Sequence, residues 1–199
     1  MALIKGMLLS YSDPLLGLVP VIVSFQYNPV NVTRVLTGPS GASASAAAQP
    51  ARETYALKLE LDATDGLETE GAITMAFGIG PRLAAIEMLM QPVGGQVLPR
   101  IPGASKGTAI PAGRLPLTLF VWGPGRITPV TLKSLTIQET AFDSALNPVH
   151  ATADLGLTVL LRAELPENDR LARLAADFYQ GLREVKAVLQ LPQMSELGG

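Results

Sequence analysis

Hydrophobic residues recur with two distinct periods along this chain. Tyr55, Leu57, Leu59 and Leu61 alternate with Ala56, Lys58, Glu60 and Asp62. A period of two with charges on one side predicts a strand half exposed to solvent. The alternation returns at Leu117, Leu119 and Val121 against Thr118, Phe120 and Trp122. Gly123-Pro124-Gly125-Arg126 then supplies a tight turn, and Ile127 to Glu139 is the expected partner strand of the clearest hairpin in the chain. A third run follows Asn147-Pro148 and sets Val149, Ala151, Ala153, Leu155, Leu157, Val159 and Leu161 on one face. At about 3.3 Å per residue it reaches roughly 43 Å, long for a strand. Val19 to Tyr27 is rich in β-branched residues and stops at Asn28-Pro29, and Val30 to Leu36 resumes the pattern. These two runs are expected to form a bent pair.

The period lengthens in two places. Leu83, Ile86, Leu89 and Met90 fall at helical spacing behind Pro81, which predicts a short amphipathic helix ended by Pro92. Leu171, Leu174, Phe178, Leu182, Val185 and Leu189 form one stripe within Glu167 to Gln190, a predicted helix of roughly 36 Å that packs on something long. Gly38 to Ala51 lacks any period and reads as a flexible loop at about residues 38–51, and Val93 to Arg114 is broken by Gly and Pro. The order is α+β with mostly antiparallel β structure. Residues 1–165 hold the β-rich domain, and residues 166–199 add a C-terminal helix and tail.

Composition narrows the function classes. Of 199 residues, 48% are apolar and only 16% are charged, below the usual share of about 25%. That balance suits a protein that buries much of its surface against partners. A net charge of −2 argues against a general nucleic-acid binder. No cysteine is present, which excludes disulfides, iron–sulfur clusters and thiolate zinc sites, and the single histidine, His150, cannot make a His-rich metal site. No residue between Asp13 and Arg34 is charged, but Pro14, Pro20, Pro29, Gln26, Asn28 and Asn31 suit a lipid-facing helix poorly. A buried strand is the better reading, with neither a secretion signal nor stable membrane insertion expected.

Candidate chemistry is thin. Gly103-Ala104-Ser105-Lys106-Gly107-Thr108 has phosphate-loop letters in the wrong order, and Gly78-Ile79-Gly80 is half of a dinucleotide fingerprint with Pro81 in place of the rest. Asp62, Asp65, Glu68 and Glu70 gather carboxylates near one turn, with only part of a calcium-loop spacing. Asp62, Asp65, Glu68 or His150 are the candidates for a small hydrolase, although the chain has no GxSxG elbow for a serine nucleophile. Trp122 either caps the core at a hairpin end or anchors an interface, and Arg126 sits in the same turn. No catalytic residue, cofactor or metal is assigned.

Four segments taken in order carry a resemblance. They are Phe25-Gln26-Tyr27-Asn28-Pro29, Leu57 to Thr64 (LKLELDAT), Phe120-Val121-Trp122-Gly123 continuing through Ser134 to Asp143 (SLTIQETAFD), and Leu146 to Leu155 (LNPVHATADL). Over residues 19 to 162 the chain resembles the tube-like domain of contractile injection system baseplate proteins, relatives of the tube initiators of contractile phage tails that often carry a LysM domain. The resemblance implies a tail-tube-like split β-barrel with a short helix alongside, and a homo-hexameric ring whose inner strands line a lumen. It implies a non-enzymatic adaptor that joins the spike hub to the inner tube among other baseplate proteins, in a particle built in the bacterial cytoplasm and open to release. A repeated inner-tube subunit is the alternative, and a membrane-associated protein ranks below both. After residue 162 no LysM pattern follows, only the predicted helix and tail. That helix is expected to dock on a baseplate partner through Leu174, Phe178, Leu182 and Val185, or else to pack on its own sheet.

Overall fold

A computed structural model describes residues 4–11, 21–38, 50–64, 71–91 and 115–189. Seven strands form one antiparallel sheet: β1 (Met7–Tyr11), β2 (Val21–Ser24), β3 (Val32–Thr37), β4 (Arg52–Asp62), β5 (Leu117–Val121), β6 (Ile127–Phe142) and β7 (Pro148–Val159). Their spatial order is β2-β1-β5-β6-β7-β4-β3. Helices α1 (Ala72–Phe77) and α2 (Gly80–Glu87) run into a 3-10 turn at Met88–Met90, and α3 (Arg170–Val188) follows the sheet. The fold is α+β and dominated by antiparallel sheet, as the periodicity predicts. No described helix is long and apolar enough to cross a membrane. The irregular segments expected within 38–51 and 93–114 fall almost wholly outside the described residues.

Unbroken alternation builds the long central strands. Glu53, Tyr55, Leu57, Leu59 and Leu61 of β4 are buried, as are Ala151, Ala153, Leu155, Leu157 and Val159 of β7. The two strands pair from Thr54 opposite Thr158 to Asp62 opposite His150, which brings their apolar faces into one surface. The β5–β6 hairpin forms as expected. Gly123 takes φ 71° in its turn, and the Trp122 N–H donates to the Arg126 carbonyl at 2.8 Å. Only Ile127–Val130 pair with β5, however, and from Thr131 onward β6 pairs with β7 alone among the described residues.

The sheet rolls strongly. Tyr55 on β4 and Phe120 on β5 are separated by β7 and β6, which in a flat sheet would put them roughly 14 Å apart. Their rings lie 5.3 Å apart. Twist of one hand in every strand brings the β1–β5 side over the inner face of β4. Leu8 and Phe120 therefore share one core with Leu57, Leu155 and Leu157, and Leu83, Ile86 and Leu89 cover it from α2 and the following turn.

Two expectations need correction. The runs around β2 and β3 do not form a bent pair: β2 pairs with β1 and β3 with β4, at opposite edges of the sheet. The divergence starts at Phe25, which turns into the core, and at Asn28, whose side chain accepts from the Gly6 N–H and donates to the Ile4 carbonyl, both at 2.8 Å. Those bonds tie the end of β2 to β1 and send the chain away. The sheet is also not closed, because β2 and β3 have no partner on their outer sides among the described residues. β1 and α1 lack any strong period in the sequence and were not anticipated.

Candidate functional site

Helix α3 begins at Arg170, where the Asp169 side chain accepts from the Ala172 N–H at 3.0 Å, and it meets the sheet through Ala172, Ala175 and Tyr179. Two alanines allow close approach, and Tyr179 reaches down to β4. The expected apolar stripe is not the buried one. Leu171, Leu174, Phe178, Val185 and Leu189 are exposed, and only Leu182 is half-buried. Thus α3 packs on its own chain while most of the residues expected to dock face outward.

The contact between α3 and β4 is polar at its centre. Glu53 is 3% exposed and stands in the buried phase of β4, where an unpaired carboxylate would be costly. The Tyr55 and Tyr179 hydroxyls each lie 2.7 Å from its Oε1 and 2.6 Å from each other. Arg183 donates to Oε2 at 2.9 Å, and the Arg34 Nε lies 3.7 Å from Oε1. The Arg126 guanidinium stands over the Tyr55 ring at 5.5 Å, and that of Arg183 over the Tyr179 ring at 5.6 Å. Burial, then hydrogen bonding to Tyr179 and Glu53, pushes the Tyr55 phenol well above the ordinary tyrosine range. Tyr55 therefore stays neutral, and Glu53 accepts hydrogen bonds from β4 and α3 and is ion-paired to Arg34 of β3. The cluster ties α3 to β3 and β4.

Two recesses flank it. One of about 1210 Å³ lies between α3, the start of β4 and the 3-10 turn Arg162–Glu164. Ion pairs cross its rim from Arg52 to Glu164 at 2.7 Å and from Arg162 to Asp177. The other, about 210 Å³, is lined by Trp122, Leu182 and four cations, Arg34, Arg126, Arg183 and Lys186. The structure thus brings Trp122, Arg126 and Leu182 together at one cleft, while Leu174, Phe178 and Val185 lie on the exposed face of the same helix. Trp122 also packs on the core, with ring centroids 6.1 Å from Phe120 and 6.3 Å from Phe25.

Of the remaining sequence candidates, the structure places Asp62 and His150 opposite one another on the paired strands β4 and β7. Asp62 accepts from the Thr64 N–H at 2.6 Å and from the Thr64 hydroxyl, and these two bonds hold its carboxyl below the usual range. Asp65, Glu68 and Glu70 lie outside the described residues, as do Ser105 and Lys106. His150 sits on the polar face between Thr140 Oγ1 at 2.7 Å and Glu60 Oε1 at 3.3 Å. Gly78 serves packing: it takes φ 57°, and a Cβ there would meet the Pro148 carbonyl oxygen at 2.1 Å. Among the described residues no three His, Cys, Asp or Glu side chains are grouped to hold a metal.

Sequence reasoning missed Glu53, Tyr179, Arg183 and Arg34 as a unit. One signal was available. Glu53 falls in phase with Tyr55, Leu57, Leu59 and Leu61, and an acid in an apolar phase demands partners. No protein-family model matches the chain, and no curated protein is significantly similar to it.

Proposed function

We propose that this chain is a structural baseplate component of a phage-like contractile injection system, an adaptor that joins the spike hub to the inner tube. The observation that carries the reading is the pair of open edges. Among the described residues β2 and β3 end the sheet on opposite sides, and both present exposed apolar residues, Val21 and Ile22 on β2 and Val35 and Leu36 on β3. A free edge of that kind is an aggregation hazard unless another strand covers it. A ring in which β3 of one copy continues into β2 of the next removes both edges, each rolled sheet then being one segment of a split barrel. Six copies is the number the family resemblance implies. The outward face of β4, β6 and β7 carries Lys58, Glu60, Ser134, Thr136, Thr152 and Asp154, a polar surface that suits a water-filled lumen.

A repeated shaft subunit is the second reading. The outward apolar stripe of α3 favours the adaptor, since a ring stacked only on copies of itself has no need of an extra docking helix. The test is to sediment particles from a native lysate and count copies of this chain by mass spectrometry. One ring per particle supports the adaptor, and dozens of copies support the shaft subunit. Absence from intact particles overturns both.

A further inference from the structure

The smaller cleft beside α3 has an unbalanced charge. Arg34, Arg126, Arg183 and Lys186 line it, and among the described residues no carboxylate does. Glu53 lies behind the wall and pairs with Arg34 and Arg183. Arg126 and Lys186 have no carboxylate within ion-pair distance among the described residues. One buried acid therefore offsets only part of four cationic charges. Arg126 stands over the Tyr55 ring and Arg183 bonds to Glu53, so two of the four donors have a contact that favours their position in the cleft.

The walls say what kind of anion fits. At about 210 Å³ the cleft is smaller than the ~300–1,000 Å³ of small-molecule sites, so it takes a single head group rather than a nucleotide. Trp122 and Leu182 form its apolar side, and the helix continues past it with Val185 exposed on one side and Phe178 and Leu174 on the other. A ligand that fills the cleft and also covers those residues is acidic at one point and apolar beside it. A nucleic acid would instead track an extended basic surface, which a chain of net charge −2 does not provide.

We propose that this cleft receives the carboxylate of an acidic side chain on a partner protein, whose neighbouring apolar residues lie along the outward face of α3. Arg126 and Lys186 supply the unspent charge, and Trp122 and Leu182 bound the head group. The inference does not depend on ring formation, because one copy carries every residue it uses.

Trp122 is the only tryptophan in the chain and lines this cleft, so its fluorescence is a probe of binding there once the urea midpoints show the core unchanged. The experiment titrates the full chain with a synthetic octapeptide alternating glutamate and leucine, beside a control octapeptide with glutamine in place of glutamate and beside inorganic phosphate. Saturable change is expected with the glutamate peptide only, with affinity reduced by about tenfold or more in Lys186→Glu and weakened by salt. Arg126→Gln is expected to act in the same direction. Urea midpoints check the fold of both variants, and Lys186, exposed on α3, gives the variant that keeps the test valid if Arg126→Gln destabilises the chain. No saturable change with the glutamate peptide overturns the proposal, as does equal response to the glutamine peptide. Tighter saturation by inorganic phosphate overturns it in favour of a phosphate site.

Discussion

An acid in the apolar phase of β4 has to be neutralised where it stands. Tyr55, Tyr179, Arg183 and Arg34 do so at Glu53, and in doing so they join β3, β4 and α3. Glu53→Ala would leave two phenols and two guanidiniums facing an empty site. Breaking a fully buried ion pair costs about 3–5 kcal/mol, and because Arg183 is partly exposed the lower end, about 3 kcal/mol, is expected by urea denaturation. Glu53→Gln keeps the shape and an acceptor and should lose less. A loss under about 1 kcal/mol in Glu53→Ala would mean that α3 is held by apolar contacts alone. Tyr55 adds a test by pH. Its folded pKa is raised above the unfolded value of about 10, so its contribution is whole below pH 10. Above that the unfolded chain releases the proton while the folded chain keeps it, and stability falls by up to about 1.4 kcal/mol per pH unit. Urea midpoints from pH 9 to 11.5 should therefore fall more steeply in the natural chain than in Tyr55→Phe. Parallel slopes would refute the assignment. Glu53 was visible in the sequence by its phase; its partners were not, since Arg34 and Arg183 are 19 residues before and 130 residues after it.

Elements were legible where one strand carried the whole signal. β4, β7 and the β5–β6 hairpin alternate cleanly, and all of them form. β1 and the pairing of β2 and β3 depend on which distant strand wins the contact, which no local period encodes. The same limit applies to α3. Its most apolar stripe was legible, but the sheet took the alanine face, because Ala172 and Ala175 let the helix come close enough for Tyr179 to reach Glu53. That choice is measurable. Leu174→Ser, on the outward face and 66% exposed, should change stability by no more than about 0.5 kcal/mol. Ala172→Leu, at a fully buried position, should cost about 1–3 kcal/mol through overpacking. The reverse result would place the hydrophobic stripe against the sheet. The Phe25-Gln26-Tyr27-Asn28 segment also gains a local explanation, since Gln26 accepts from the Asp62 N–H at 3.0 Å and from Arg82 at 2.6 Å while Asn28 ties down Gly6. These residues lock β2, β4 and α2 together whatever the chain does in an assembly.

At the scale of the molecule, the two strands that end the described sheet each expose two apolar residues, Val21 and Ile22 on β2 and Val35 and Leu36 on β3. If the edges close a ring, the contact is heterologous: β2 of one copy meets β3 of the next, and damage to either edge stops growth on that side only. Ile22→Lys spoils β2, and Val35→Lys spoils β3. Both positions are exposed, so each variant should unfold in urea within about 0.5 kcal/mol of the natural chain. Neither variant alone offers two compatible edges, and neither should self-associate. Mixed together they retain one good β3 edge, on the Ile22→Lys chain, and one good β2 edge, on the Val35→Lys chain. The mixture should form a heterodimer and stop there, which native mass spectrometry would register as a single new mass at twice the chain. Larger species in the mixture would mean that association runs through another surface. A mixture that stays monomeric, while the natural chain associates, would mean that both edges must engage at once.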